Sequence, residues 1–164
     1  MQHLHRLMIA AIIAIAFTLP AGLAGAQEVK QIQLTEKQVL SYLAAQKEMP
    51  EVPEDADAKI EAQLESVAKK HGFANFQEYE DVVINISLIL QGLDPESNEF
   101  IEPPDVIKQQ IAELQADRSI PAKERQEAVK ELNEALKTAQ PIQFRGNIEL
   151  VKKHYDAIEA TIQQ

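Results

Sequence analysis

Two histidines are the side chains of this sequence best suited to proton transfer or metal binding. His71 and His154 occur in similar contexts, KKHGF and KKHYD. Imidazole titrates near neutral pH and is a common metal ligand, and Asp156 and Glu159 near His154 could complete a site. Two histidines on separate helices can meet only through the tertiary fold. The sequence therefore favours a structural role for each KKH run at the C-terminal end of a helix, where positive charge suits the helix dipole. A shared metal or proton-transfer site is the alternative.

An acidic loop, DPESNEFIEPPD, imitates the spacing of a calcium-binding loop. Asp94, Glu96 and Asn98 supply oxygen side chains at its first, third and fifth positions. Its sixth position is Glu99, where an EF-hand needs glycine, and its twelfth is Asp105 instead of a bidentate glutamate. The sequence therefore favours a solvated acidic loop, with a calcium site as the alternative.

No enzyme motif is present in the sequence. It has no G-x-S-x-G, no glycine-rich phosphate loop, no H-E-x-x-H and no C-x-x-C. Because there are 26 acidic residues, accidental carboxylate pairs abound and none can be singled out for acid–base catalysis. We therefore predict no catalytic residues and no cofactor, and an enzyme whose groups cluster only in the fold is the alternative.

Residues 1–26 have the pattern of a secretory signal peptide. Arg6 provides the positive charge of the first part, Leu7 to Leu19 forms a short apolar core, and Ala24-Gly25-Ala26 fits the cleavage rule. The apolar core is short for a permanent membrane span. The sequence predicts cleavage after Ala26, a periplasmic or secreted location, and contact with the membrane only during export.

The remaining chain, residues 27–164, has the length of one domain. It contains 15 basic and 26 acidic residues, a net charge of −11. Such a balance opposes binding to nucleic acid, which requires a basic face. The sequence lacks cysteine, so stability comes from packing without disulfides.

The stretch from Phe73 to Leu93 is the long run that is apolar on more than one side. Its VVINISLIL segment alternates as a strand would, but Asn75 and Glu78 form a helix-start signal and Gly92 suits a left-handed helix end. We predict a central buried helix over 76–91. Its polar residues Asn85 and Ser87 are expected to face solvent or bond to local backbone, with an internal polar pocket as the alternative.

Five amphipathic stretches surround this central helix. Leu34-Thr35 followed by Gln38 is a capping box with a hydrophobic staple, and Gly72-Phe73 is a typical helix stop. Asn147 is a possible cap for the last helix. We predict an all-α compact bundle of about six helices, the other five spanning 36–48, 56–71, 104–117, 121–139 and 148–162.

The run Leu34-Thr35-Glu36-Lys37-Gln38 resembles the LTxxQ signature of the Spy-like periplasmic proteins. That resemblance implies a helical protein without cofactors that shields unfolded clients. The family usually carries the motif twice, whereas here the later helix start reads Ile120-Pro121-Ala122-Lys123-Glu124. More broadly, the leader, LTEKQV and KKHGF are similar to small exported helical proteins of Gram-negative bacteria, which implies no activity.

Together these features predict an exported, soluble helical protein of the bacterial envelope that acts by binding. The first hypothesis is an interaction or chaperone-like module with a protein partner or unfolded client, using an exposed apolar groove between the first and last helices. The alternative is a periplasmic protein that binds a small ligand or metal through Asn85 and Ser87 or the two histidines.

Overall fold

The computed structural model describes residues 30–50, 52, 57–95 and 97–162. These parts of the chain form seven helices and no strand: α1 Glu36–Gln46, α2 Ala58–Lys70, α3 Phe76–Leu90, α4 Pro103–Ala116, α5 Ala122–Thr138, α6 Gly146–Lys153 and α7 Tyr155–Ile162. The all-α prediction is confirmed, with seven helices instead of about six. The predicted signal peptide lies outside the described residues.

Local signals place the starts of the first three helices. The Thr35 hydroxyl accepts the Gln38 N–H and the Gln38 side chain accepts the Thr35 N–H, which completes the capping box. Asp57 accepts two N–H groups at the start of α2. Asn75 Oδ1 accepts the Glu78 N–H at 2.8 Å at the start of α3. These side chains satisfy amide groups that a helix start leaves without partners.

The turn between α2 and α3 is the predicted glycine stop. Gly72 has φ of 92°, a left-handed conformation that disfavours other residues. The Phe73 N–H returns to the Ala68 carbonyl at 3.1 Å, as in a Schellman motif. The turn therefore brings α3 back against α2.

Helix α3 is the centre of the bundle, as the sequence predicts, and it packs against α1, α2 and α6. Val82 and Ile89 on α3 are fully buried. Phe73 and Phe76 flank the Tyr79 ring, with centroids 5.5 and 5.6 Å away. This aromatic cluster and the aliphatic face together form the core.

The predicted last helix is two helices, because the chain breaks at His154. The backbone of His154 has φ of −108° and ψ of 11°, and its N–H bonds the Val151 carbonyl in a tighter turn. Val151 and Ile158 on either side of the break are fully buried. The change of direction lets α6 pack on α3 and α7 pack on α1.

The connection from α3 to α4 is a closed turn, with Leu93 and Phe100 paired as an antiparallel bridge. The expectation for Gly92 is wrong: its φ is not left-handed, since Gly72 is the glycine with positive φ in the described chain. A Cβ at Gly92 would lie 2.1 Å from the Ile101 carbonyl oxygen. Glycine is required there by the close approach of the chain returning from the turn.

Helices α4 and α5 form a hairpin that packs mainly on itself. Glu102 closes its base by accepting the Ile142 N–H at 2.9 Å and pairing with Arg145 at 2.6 Å. Pro103, the first residue of α4, is buried, but none of residues 104–138 is. The hairpin therefore projects from a body made of the other five described helices.

Candidate functional site

An extended segment, residues 30–34, lies along α3 and α6 and is held by side-chain amides; we call it the strap. Asn85 of α3 accepts the Ile32 N–H and donates to the Lys30 carbonyl, both at 3.0 Å. Asn147 of α6 accepts the Leu34 N–H and donates to the Ile32 carbonyl, both at 2.8 Å. We call Asn85 and Asn147 the amide clamp.

The two asparagines repeat one pattern of contact. Each amide takes an N–H from one strap residue and gives an N–H to the carbonyl two residues earlier. A neighbouring strand bonds alternate residues of an extended chain in a similar way. Both amides are almost fully buried, so their polar groups need hydrogen-bond partners. The strap supplies these partners, and Asn85 also donates to the Asp81 carbonyl at 2.8 Å.

Asn85 makes the local backbone bond that the sequence predicts, to the Asp81 carbonyl, but it is buried instead of exposed. Its strap partners are more than 50 residues away in sequence. Ser87 is half-buried, and its carbonyl continues the helix by accepting the Gln91 N–H. The cap predicted for Asn147 is wrong, because its side chain bonds the strap while α6 begins at Gly146.

The two predicted histidine positions lie at opposite ends of α1. His71 Nε2 is 3.3 Å from Glu48, which also pairs with Lys70 at 2.5 Å. Similarly, His154 Nε2 is 3.3 Å from Glu36, which pairs with Lys153 at 2.6 Å. Since α1 has 11 residues and is about 16 Å long, the histidines do not share a site.

Each histidine instead belongs to a lysine–histidine–glutamate cluster that fastens one end of α1. The hydrogen bond from Lys153 lowers the pKa of Glu36, and the hydrogen bond from Lys70 lowers the pKa of Glu48. Both carboxylates therefore stay ionised at neutral pH and attract the neighbouring cations. These clusters explain the repeated KKH sequence by a structural role.

The acidic loop places two of its three predicted ligands in contacts of their own. Asp94 accepts the Ser97 hydroxyl at 2.8 Å, and the Asn98 carbonyl accepts the Lys152 ammonium at 2.9 Å. Asn98 has φ of 57°, as tight turns often require. Glu96 lies outside the described residues. Among the residues that are described, no group of three or more histidine and acidic side chains could hold a metal ion.

The hairpin presents six half-buried apolar side chains along its two helices. They have the three-and-four spacing of a helix seam, and we call them the hairpin seam: Ile107, Ile111, Leu114, Val129, Leu132 and Leu136. Each is half-buried, and the two helices of the hairpin pack against each other. A third helix laid along this seam would bury these side chains further.

The first and last helices, between which the sequence predicts an exposed apolar groove, pack against each other. Val39 and Tyr42 of α1 and Ile158 of α7 are buried where these helices pack. Leu40 and Ile162 are half exposed on the same helices. An open depression of about 260 Å³ lies elsewhere, lined by Glu48, Pro50, Gln63, Ser66 and Val67.

Comparisons with known proteins leave the chain without a relative: no family model, curated protein or solved structure matches it. Within the described ranges, every helix falls short of the length and apolar character of a membrane span. Function must therefore be argued from the geometry of the hairpin seam and the strap.

Proposed function

We propose that this chain is an exported protein-binding module of the bacterial envelope, and that the hairpin seam is its binding surface. The observation that carries the proposal is the projecting hairpin, in which six apolar side chains along two helices are half-buried and none is fully buried. Water contact along such a seam is unfavourable, and burial against a partner relieves it.

The partner that fits this surface is an amphipathic helix laid along the groove between α4 and α5. A third helix would complete a three-helix bundle with ordinary seam packing. Recognition would come from apolar residues of the partner at three-and-four spacing. An envelope protein with such a helix, or an unfolded client that forms one, supplies this chemistry.

The charge of the hairpin also suits a binding role. Residues 103–138 contain six basic and seven acidic residues, a net charge of −1, whereas residues 27–164 as a whole carry −11. The hairpin therefore contributes little to the repulsion that the acidic body exerts on acidic partners. It can approach a neutral or acidic envelope protein that the body repels.

The test is a pull-down from envelope extract with the full chain carrying a C-terminal tag, expressed in a Gram-negative host. The seam variant is Ile111→Glu/Leu132→Glu. The matched control is Gln109→Glu/Gln126→Glu, which adds the same charge to the same helices at exposed positions. Far-UV circular dichroism checks that both variants keep their helices.

We expect the unmodified chain and the control to retain the same partners and the seam variant to lose them. One stoichiometric partner would define a dedicated module. A broad set, together with suppression of aggregation of a denatured client, would define the chaperone-like role that the LTxxQ resemblance implies. Retention of the same partners by a folded seam variant would contradict the proposal.

Export is part of the same proposal and has a separate test. The features that support it are Arg6, the apolar run from Leu7 to Leu19 and the small residues before Gln27. Mass spectrometry of the protein from the periplasmic fraction should find Gln27 as its first residue. An uncleaved chain in the cytoplasm would contradict export and leave the binding surface untouched.

A further inference from the structure

The amide clamp holds the strap through its main chain. Within the strap, both amides of the clamp bond only to N–H and C=O groups, those of residues 30, 32 and 34. Every residue except proline offers these groups. The surface of α3 and α6 under the strap, which we call the strap site, therefore has the means to bind an extended chain of many sequences.

The side chains of the strap define which sequences suit the strap site. Leu34 is buried and Ile32 is half-buried against the core, while Gln33 between them is exposed. Lys30 pairs with Asp81 of α3 at 2.7 Å. The Gln31 side chain donates to the Pro141 carbonyl at 3.0 Å and accepts the Gln143 N–H at 2.9 Å. The fitting pattern is a basic residue, a side-chain amide, an apolar residue, any residue and a second apolar residue.

We propose that the strap site is a binding site for an extended polypeptide, which the strap fills in cis and which a segment of a partner or client with this alternating pattern fills by replacing it. Peptide recognition of this kind draws affinity from main-chain hydrogen bonds and specificity from alternate side chains. The strap is suited to displacement because its main-chain hydrogen bonds run to side chains and not into a helix or sheet.

The strap sets the strength of binding by competing for the site. A segment joined to its own site has an effective concentration on the order of millimolar, so the intact chain binds a free peptide weakly. A substitution that weakens the strap without touching the clamp should uncover the site. If the strap is a displaceable occupant, weakening it should strengthen the binding of a free peptide. If it is a fixed part of the fold, weakening it should not.

The first experiment measures fluorescence anisotropy of a labelled peptide, KQIQLTE, which copies residues 30–36, with the full chain. Ile32→Asp weakens the strap, and Gln33→Asp is the control with the same charge at an exposed position. A second peptide carries N-methyl groups on the two amides that Asn85 and Asn147 accept. It keeps every side chain and lacks only those donors.

We expect Ile32→Asp to bind the parent peptide at least about tenfold more tightly than the unmodified chain, as removal of millimolar competition requires. Gln33→Asp should bind like the unmodified chain. Adding Asn85→Leu to Ile32→Asp, or using the N-methylated peptide, should remove the gain. Equal affinity of a folded Ile32→Asp variant and the unmodified chain, or equal affinity for both peptides, would overturn the proposal.

The second measurement needs no variant and decides the matter if Ile32→Asp fails to fold. Hydrogen exchange of the Ile32 and Leu34 amides in the unmodified chain is followed against urea, with the Ile86 amide of α3 as reference. A displaceable strap opens locally, so its amides should exchange faster than Ile86 and with little urea dependence. Exchange of all three with the same urea dependence would show a permanent strap and overturn the proposal.

Discussion

The side-chain amides of Asn85 and Asn147 take the place of main-chain partners for an extended segment. A buried N–H or C=O without a partner destabilises a protein by about 1–3 kcal/mol. Each asparagine satisfies two such groups of the strap and is itself almost fully buried. The two residues together supply four hydrogen bonds that hold the main chain of the strap.

The amide clamp gives the first prediction, for Asn147→Ala. The change leaves the Leu34 N–H and the Ile32 carbonyl without their partners, so the free energy of unfolding should fall by about 2–3 kcal/mol. Urea unfolding measures it. Asn133→Ala, an exposed asparagine of α5, is the control and should change stability by less than about 0.5 kcal/mol. Equal effects of the two substitutions would mean that the clamp contributes nothing.

A second prediction concerns Tyr79 and alkaline pH. Burial raises the pKa of the Tyr79 phenol above its ordinary value of 10.0, and the nearby Tyr42 and Glu80 raise it further. The phenol also donates to the Gln46 side chain at 2.5 Å. The pKa of the phenol is higher in the folded than in the unfolded chain. The stability that the neutral phenol contributes is therefore fully present below pH 10.0 and is lost as the pH rises above that value.

The free energy of unfolding should therefore decrease between pH 9 and pH 11, measured by urea titration at each pH. Tyr79→Phe should make the decrease smaller, because no buried phenol remains to ionise at that position. Tyr155→Phe is the control with a less buried ring, and its effect on the slope should be smaller. An unchanged slope in Tyr79→Phe would contradict the prediction.

At the scale of elements, two glycines differ in whether a larger residue would fit: Gly92 leaves no room for a side chain, and Gly146 leaves ample room. A Cβ at Gly92 would meet the Ile101 carbonyl oxygen at 2.1 Å, whereas at Gly146 it meets nothing within 4 Å. Gly92→Ala should lower the free energy of unfolding by about 1–3 kcal/mol through overpacking. Gly146→Ala should raise it by roughly 0.5–1 kcal/mol, since alanine is the better helix former. Thermal unfolding of the pair provides an internal control, and a shift in the same direction would contradict it.

The first capping box gives a prediction of ordinary size. Thr35→Ala removes the hydroxyl that accepts the Gln38 N–H at 3.2 Å, so stability should fall by about 1 kcal/mol. Thr138→Ala, at the exposed end of α5, is the matched threonine control. Urea unfolding that shows no difference between the two would contradict a role for the box.

The sequence predicts well what neighbours along the chain decide. The caps at Thr35 and Asn75 and the Gly72 stop act within a few residues, so their patterns are visible before the structure is known. The break at His154 was missed, because apolar residues keep their helical spacing straight through it. The break follows from packing of α6 and α7 on different helices, which no local pattern encodes.

The strap was missed for the same physical reason. Asn147 is 113 residues from Leu34, and an asparagine near a helix start ordinarily indicates a cap. The buried asparagine inside the apolar run of α3 was the one available signal, since such a residue must find a partner. The sequence could show that Asn85 needs one, but not that the partner is the strap.

At the scale of the whole molecule, we expect the hairpin and the body to differ in stability. The body has a core around α3, whereas none of residues 104–138 is buried. Regions with few buried apolar contacts open at lower free energy than the core. A partner that covers the hairpin seam would then stabilise the least stable part of the molecule.

We expect amide hydrogens of α4 and α5 to exchange faster than those of α3 in native-state hydrogen exchange. The Leu132 amide should report local opening and the Ile86 amide global unfolding. Addition of a partner that binds the unmodified chain and not the seam variant should slow exchange at Leu132 and leave exchange at Ile86 unchanged. Equal protection of both amides in the free protein would contradict an independently opening hairpin.

The contact of Glu102 with Ile142 and Arg145 joins the two ends of the hairpin at one point. What lies between those ends can be lengthened or shortened by whole helical turns without moving the body. The length of the hairpin and the side chains of its seam can therefore be redesigned while the body stays the same.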